Sequence, residues 1–80
     1  PSVAVFAGEE GLDGVRSVLE AAVARLTPGG LLIMEFGLGQ DDAVTALVDQ
    51  VSSLDLVAIR HDLQDIPRTV VCRKNQEAPR

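Results

Sequence analysis

Apolar residues recur along this chain in two rhythms. From Leu12 to Leu26 they fall three and four positions apart, with Leu12, Val15, Val18, Leu19, Ala22, Val23 and Leu26 on one face and Arg16, Ser17, Glu20 and Arg25 on the other. That spacing predicts an amphipathic helix. Glu9, Glu10 and Asp13 sit at its positive end and Arg25 near its negative end, the placement the helix dipole favours. A shorter stripe of Val44, Leu47, Val48 and Val51 predicts a second helix. Asp41 and Asp42 open it, Asp41 or Gln40 caps it, and Ser52-Ser53 breaks it.

Between the helices the rhythm stops. Thr27-Pro28-Gly29-Gly30 ends the first helix, because proline disfavours helix at the residue before it and the glycines supply positive φ for a tight turn. Leu31 to Phe36 then runs almost wholly apolar until Gly37. Such a run, too short for a helix and bounded by breakers, predicts a strand buried on both faces. Leu54 to Arg60 alternates, with Leu54, Leu56 and Ala58 on one side and Asp55, Val57 and Ile59 on the other. After a polar connection from His61 to Pro67, Arg68 to Arg73 has high β propensity through Thr69-Val70-Val71-Cys72. Ser2 to Ala7 is a short apolar segment with extended propensity, ending at Gly8.

The predicted order is helix, strand, helix, strand, strand. A strand–helix–strand unit is a right-handed parallel crossover, whereas the short connection before Arg68 suits an antiparallel pair. The chain therefore reads as an α/β sheet, mostly parallel with one antiparallel strand. Residues 1–80 make one partial domain, of which 74–80 form a polar, frayed tail.

Composition narrows the function classes. The 46% hydrophobic content supports a core, but two Phe and no Trp or Tyr leave it without bulk, so marginal stability is expected. A formal charge of −5 argues against a nucleic-acid surface. Cys72 is the single cysteine, which excludes an internal disulfide or multi-cysteine metal site and fits a reducing cytosol. No stretch reaches the ~18 apolar residues of a membrane span. The opening at Pro1 rather than Met reads as a piece of a longer protein.

Four groups of residues invite chemistry. Gly37-Leu38-Gly39, after a strand and before a helix, suggests a dinucleotide loop, but Asp41 and Asp42 stand at the helix start and repel a pyrophosphate. A tight turn accounts for these glycines better. Glu35 ends the central strand on its carboxyl side, where open α/β sheets place their ligands. It is the substrate-side candidate; a carboxylate reaching solvent, or satisfied by backbone N–H groups, is the structural alternative. His61 and Asp62 adjoin, and Cys72 lies on the next predicted strand, but no motif supports a Cys–His pair. Cys72 reads as a small core residue and His61 as a solvated loop residue, and one histidine with scattered acids is no metal site.

Taken together, Pro1, Gly8-Glu9-Glu10-Gly11-Leu12, Arg16, Leu26-Thr27-Pro28-Gly29-Gly30, Leu31 to Glu35, Gly37 and Gln40 form an ordered set. Asp62-Leu63 and Arg68-Thr69-Val70-Val71 follow. This set resembles the C-terminal part of HemK-type methyltransferases, the protein-(glutamine-N5) methyltransferases that modify peptide-chain release factors. The resemblance covers Pro1 to Arg73. Ala7 stands where the family usually has Gly, Glu10 where it has Asp, Ser52-Ser53 at a Gly-aromatic step, and Asp65 at a Gly.

The resemblance implies a Rossmann-like sheet of the S-adenosylmethionine-dependent class. Its fifth strand would be Leu31 to Phe36, with Arg68–Arg73 inserted antiparallel between that strand and Leu54–Arg60. The family's glycine-rich cofactor loop and Asn-Pro-Pro-Tyr motif do not occur here. The resemblance thus implies a cytoplasmic parent enzyme that uses S-adenosylmethionine on a release factor. This chain would hold no catalytic or cofactor-binding residue, bind no cofactor, nucleic acid or membrane, and be inactive alone. The competing readings are an acidic protein-interaction module and a fragment of a DNA adenine methylase. With the neighbouring strand absent and both helices on one face, the central strand's face and edge predict self-association. The alternative remedy is Val3 to Ala7 folding back along that edge.

Overall fold

The unbroken apolar run becomes the second strand of a four-stranded mixed sheet. In the computed structural model, which describes residues 2–7 and 11–76, the elements in order are β1 (Val3–Phe6), α1 (Gly11–Arg25), β2 (Leu31–Glu35), α2 (Asp41–Asp49), β3 (Leu54–His61) and β4 (Pro67–Lys74). Glu9 and Glu10, read as a charge complement to the first helix, and the tail beyond Gln76 lie outside the described residues.

The strand order is β1-β2-β4-β3. β1 pairs parallel with β2, and β4 lies antiparallel to both β2 and β3. Both crossovers step the same way across the sheet, and right-handed crossovers that do so place their helices on one face. Accordingly Val15, Val18, Leu19 and Ala22 of α1 and Val44, Leu47 and Val48 of α2 share one core with Leu32, Met34, Val70 and Cys72 of the sheet.

The turn before β2 depends on its glycines. Gly29 has φ +86°, and a Cβ on Gly30 would stand 2.9 Å from the Thr27 carbonyl oxygen and 3.1 Å from that of Ser2. Those contacts are backbone and cannot yield. The close approach lets Leu31 N donate to Ser2 O at 2.8 Å, which starts the β1–β2 pairing.

Four expectations need correction. Val3–Phe6 is a true strand along the edge of β2, so the fold-back given as the alternative holds and the free edge expected beside Leu31–Phe36 does not exist. Val3 and Leu31 pair directly, as do Val5 and Ile33, and ladder bonding outweighs the short length of β1. Second, β2 is buried on one face only. Leu32 and Met34 are fully buried, Leu31 and Ile33 half-buried, because among the described residues both helices pack on the other face. Third, the alternation of β3 is interrupted at Val57, where the register with β4 shifts between Leu56 and Ala58. One extra residue turns everything after it to the other face. Leu56 therefore pairs with Cys72 and Ile59 with Val70, on the helix side, while Ala58 pairs with Val71 on the open side. Fourth, the tail does not begin at Lys74, which ends β4; Asn75 Nδ2 donates to Ser52 O at 2.7 Å and Asp55 Oδ1 at 3.2 Å.

Candidate functional site

The carboxyl ends of β2 and β3 and the amino end of β4 meet at one rim of the sheet. Glu35, the last residue of β2, pairs with Thr69, and Phe36 N donates to Arg68 O at 2.9 Å. An open cleft of about 470 Å³ lies here, lined by Glu35, Phe36, His61, Asp62, Arg68 and Thr69. A smaller cavity between α2 and β3, about 180 Å³, is remote from these groups. Glu35 is exposed and Phe36 buried.

Asp62 organises one wall. Its Oδ1 accepts from the backbone N–H of Gln64 at 2.8 Å and of Ile66 at 3.1 Å, and its Oδ2 from Arg68 Nε at 3.3 Å. The Ile66 N–H foremost, with Gln64 N–H and the Arg68 guanidinium, holds this carboxyl below its usual range against the opposing effect of desolvation. Asp62 N donates to Ile66 O at 2.9 Å and Asp65 N to Asp62 O at 3.0 Å, closing the hairpin. Asp65 carries φ +61°, a left-handed conformation that short polar side chains tolerate. This is the position where the resembled family has glycine. His61 Nδ1 and Asp65 Oδ1 stand 2.9 Å apart.

After Phe36 the chain enters the turn from Gly37 to Gln40, which does not line the cleft. Gln40 precedes α2, yet its side chain makes no cap hydrogen bond to that helix. Its Oε1 instead accepts from Gly37 N at 3.1 Å, and Gln40 N donates to Gly37 O at 3.1 Å. With Gly39 at φ +77°, this is the tight turn the glycines predicted. Its Gly37 and Gln40 amides are engaged internally, and Asp41 and Asp42 follow. These residues do not fit a cofactor grip.

The structure thus brings Glu35, His61 and Asp62 to one cleft and leaves Cys72 outside it. Cys72 is fully buried against the helices, and burial pushes its thiol up to about 11. It pairs with Leu32 and Leu56, whereas His61 pairs with Pro67, so no Cys–His pair forms. Among the described residues no cluster of three or more His, Cys, Asp or Glu is placed to hold a metal, and no helix is long and apolar enough to cross a membrane. Thr69 and Phe36 were not read as site residues from the sequence. The spacing of Asp62 and Arg68 was the available signal, since a carboxylate six positions before an arginine across a hairpin brings the two together.

The chain is similar to release factor glutamine methyltransferases along nearly its whole length. It is 36% identical to that of Bradyrhizobium diazoefficiens over 74 residues, 92% of this chain and 25% of the relative. It is 38% identical to that of Cereibacter sphaeroides over 73 residues, 91% and 26% of the respective chains. For Nitratidesulfovibrio vulgaris the identity is 32% over 80 residues, 99% and 27%. The chain spans about a quarter of the length of these curated relatives. No family model and no solved structure matches it.

Proposed function

We propose that the chain is the C-terminal portion of the catalytic domain of a cytoplasmic protein-(glutamine-N5) methyltransferase acting on peptide-chain release factors, with the Glu35 cleft on its substrate side. The observation that carries this reading is similarity to relatives of that one activity over nine-tenths of the chain. The insertion of β4 antiparallel between β2 and β3 agrees with it, because the resemblance implies that arrangement for the closing strands of a Rossmann-like methyltransferase sheet.

S-adenosylmethionine supplies the methyl group when bound to the whole enzyme. The Gly37–Gln40 turn, closed by its own hydrogen bonds and followed by two carboxylates, does not suit a grip on it. The contribution of this chain is positional. β2 delivers the exposed Glu35 carboxylate to the carboxyl rim of the sheet, where α/β folds hold ligands. There it is an acceptor for an N–H of the substrate, while β4 and the braced hairpin fix the wall beside it.

The test is a chimera in which this chain replaces the matched segment of the Cereibacter sphaeroides relative. Mass spectrometry should find the release factor methylated on a glutamine amide. A folded chimera that leaves the release factor unmodified refutes the reading. The isolated chain should neither bind nor consume S-adenosylmethionine, and a stoichiometric, micromolar complex in titration calorimetry refutes that part.

A further inference from the structure

The amino end of β4 is tied to β3 by less than a full ladder. His61 pairs with Pro67, and proline has no N–H to give the ladder. The register between the two strands also slips between Arg60 and His61. The same end of β4 carries the last contacts with β2, where Glu35 pairs with Thr69 and Phe36 N donates to Arg68 O at 2.9 Å. Whatever seats Arg68 therefore seats the end of β2.

The side chain of Asp62 makes up the missing tie, and its two oxygens have separate tasks. Oδ1 accepts from Gln64 N and Ile66 N, and the first of these is the bond, two residues along, that closes an Asx turn. The turn asks nothing of Oδ2. That oxygen accepts from Arg68 Nε at 3.3 Å, across the hairpin on the next strand. An unbroken line of contacts thus runs from the Asp62 carboxylate through the Arg68 guanidinium and main chain to Phe36 N, one residue beyond Glu35. All four residues line the cleft.

A group that meets a reacting substrate is sensitive to place, and a shift of about 1 Å can cost about a hundredfold in rate. Resting on the reading of Glu35 as the substrate-side acceptor, we propose that Asp62 is a positioning residue for Glu35. Its Oδ2 holds Arg68, Arg68 holds the end of β2, and the Glu35 carboxylate is set in place by both. An ion pair as open to water as Asp62–Arg68 adds little to stability, so its effect is read in turnover rather than in unfolding.

The test uses the active chimera carrying Asp62→Asn, Glu35→Gln or both. Asn keeps an oxygen for the two backbone N–H groups but turns a donor toward Arg68, which itself only donates. The turn survives and the tie breaks. For the release factor, Asp62→Asn should lower kcat/KM about tenfold, with little change in thermal midpoint. In the Glu35→Gln background the same substitution should change kcat/KM by no more than about twofold, because the carboxylate it positions is gone. Arg68→Met breaks the tie from the other side and leaves both Oδ1 bonds of Asp62 in place. It should repeat both results, and it decides the question if Asp62→Asn does not fold. An unchanged kcat/KM with either broken tie in the folded chimera overturns the positioning role and leaves the Glu35 reading standing. Equal losses with and without the Glu35 carboxylate also overturn it, since Asp62 would then act on the fold alone. Glu35→Gln without effect overturns the reading of Glu35 and this inference with it. An unsubstituted chimera that methylates nothing overturns the activity and this inference together.

Discussion

Replacing Lys74 by Met should cost this protein a large share of its stability. Lys74 ends β4, and its ammonium donates to Val23 O at 2.6 Å and Leu26 O at 2.8 Å. Those carbonyls lie at the C-terminus of α1, where the last four C=O groups of any helix lack intrahelical partners and a cation is favoured by the dipole. A hydrogen bond to a charged donor contributes about 1.5–3 kcal/mol. Two together set an upper figure of ~6 kcal/mol, but water can replace the ammonium at these part-buried oxygens, and the wild-type ammonium gives up hydration to make the bonds. A net loss of about 2 kcal/mol follows. An 80-residue domain has only about 4–12 kcal/mol in all. Met keeps the apolar stem, so the change isolates the charge. For a domain this small, about 2 kcal/mol lowers Tm by roughly 8–16 °C, readable by circular dichroism. Arg73→Met, at an exposed neighbour, should stay within about 0.5 kcal/mol. A Lys74→Met midpoint equal to that control would refute the capping role.

Cys72 should resist thiol reagents in the native state and react on unfolding, because it is fully buried with its pKa raised from 9.0 to about 11. The unfolded chain then releases its proton first, so stability should be unaffected below pH 9 and fall as pH rises from about 9 towards 11; native-state labelling at pH 8 would contradict the burial. Asp65→Val should destabilise by about 1–2 kcal/mol in urea titrations, since a β-branched residue is placed at φ +61°, whereas Asp65→Gly should be nearly neutral; equal costs would show that the turn relaxes. The isolated chain should self-associate through its open face, where Val3 is 49% and Val5 71% exposed, with the β2 edge already occupied. Sedimentation equilibrium over a hundredfold concentration range should show a dimer or larger species that Val5→Lys weakens, and a clean monomer that binds no apolar dye would refute it.

The parts of the fold carried by local period were legible in the residues. Of the α1 stripe Val15, Val18, Leu19, Ala22 and Leu26 are buried, Val23 half-buried and Leu12 exposed, and Val44, Leu47 and Val48 of α2 are buried as their spacing required. Pro28, Gly29 and Gly30 marked the turn that Gly30 makes possible by having no Cβ. What escaped reading depends on partners distant in sequence. Val3 to Ala7 was read only as the alternative cover for that edge, and Val3–Phe6 becomes a strand because β2 offers it one. The bulge at Val57 has no signature in an alternating segment, and it moved Ile59 onto the core side. Lys74 looked like the first residue of a polar tail, because the carbonyls it caps lie 48 and 51 positions away. The site was half legible. The strand-end position of Glu35 picked it out, whereas the neighbours that make it a cleft come from a hairpin read only as a polar connection.

Turnover of the Glu35→Gln chimera, set beside its thermal stability, tests most directly whether this cleft serves the substrate. The substitution keeps shape and removes the charged acceptor, at an exposed position that supports no core contact. Methylation of the release factor should fall about tenfold or more, with the thermal midpoint unchanged. Unchanged turnover with a large loss of stability would show instead that the carboxylate is structural.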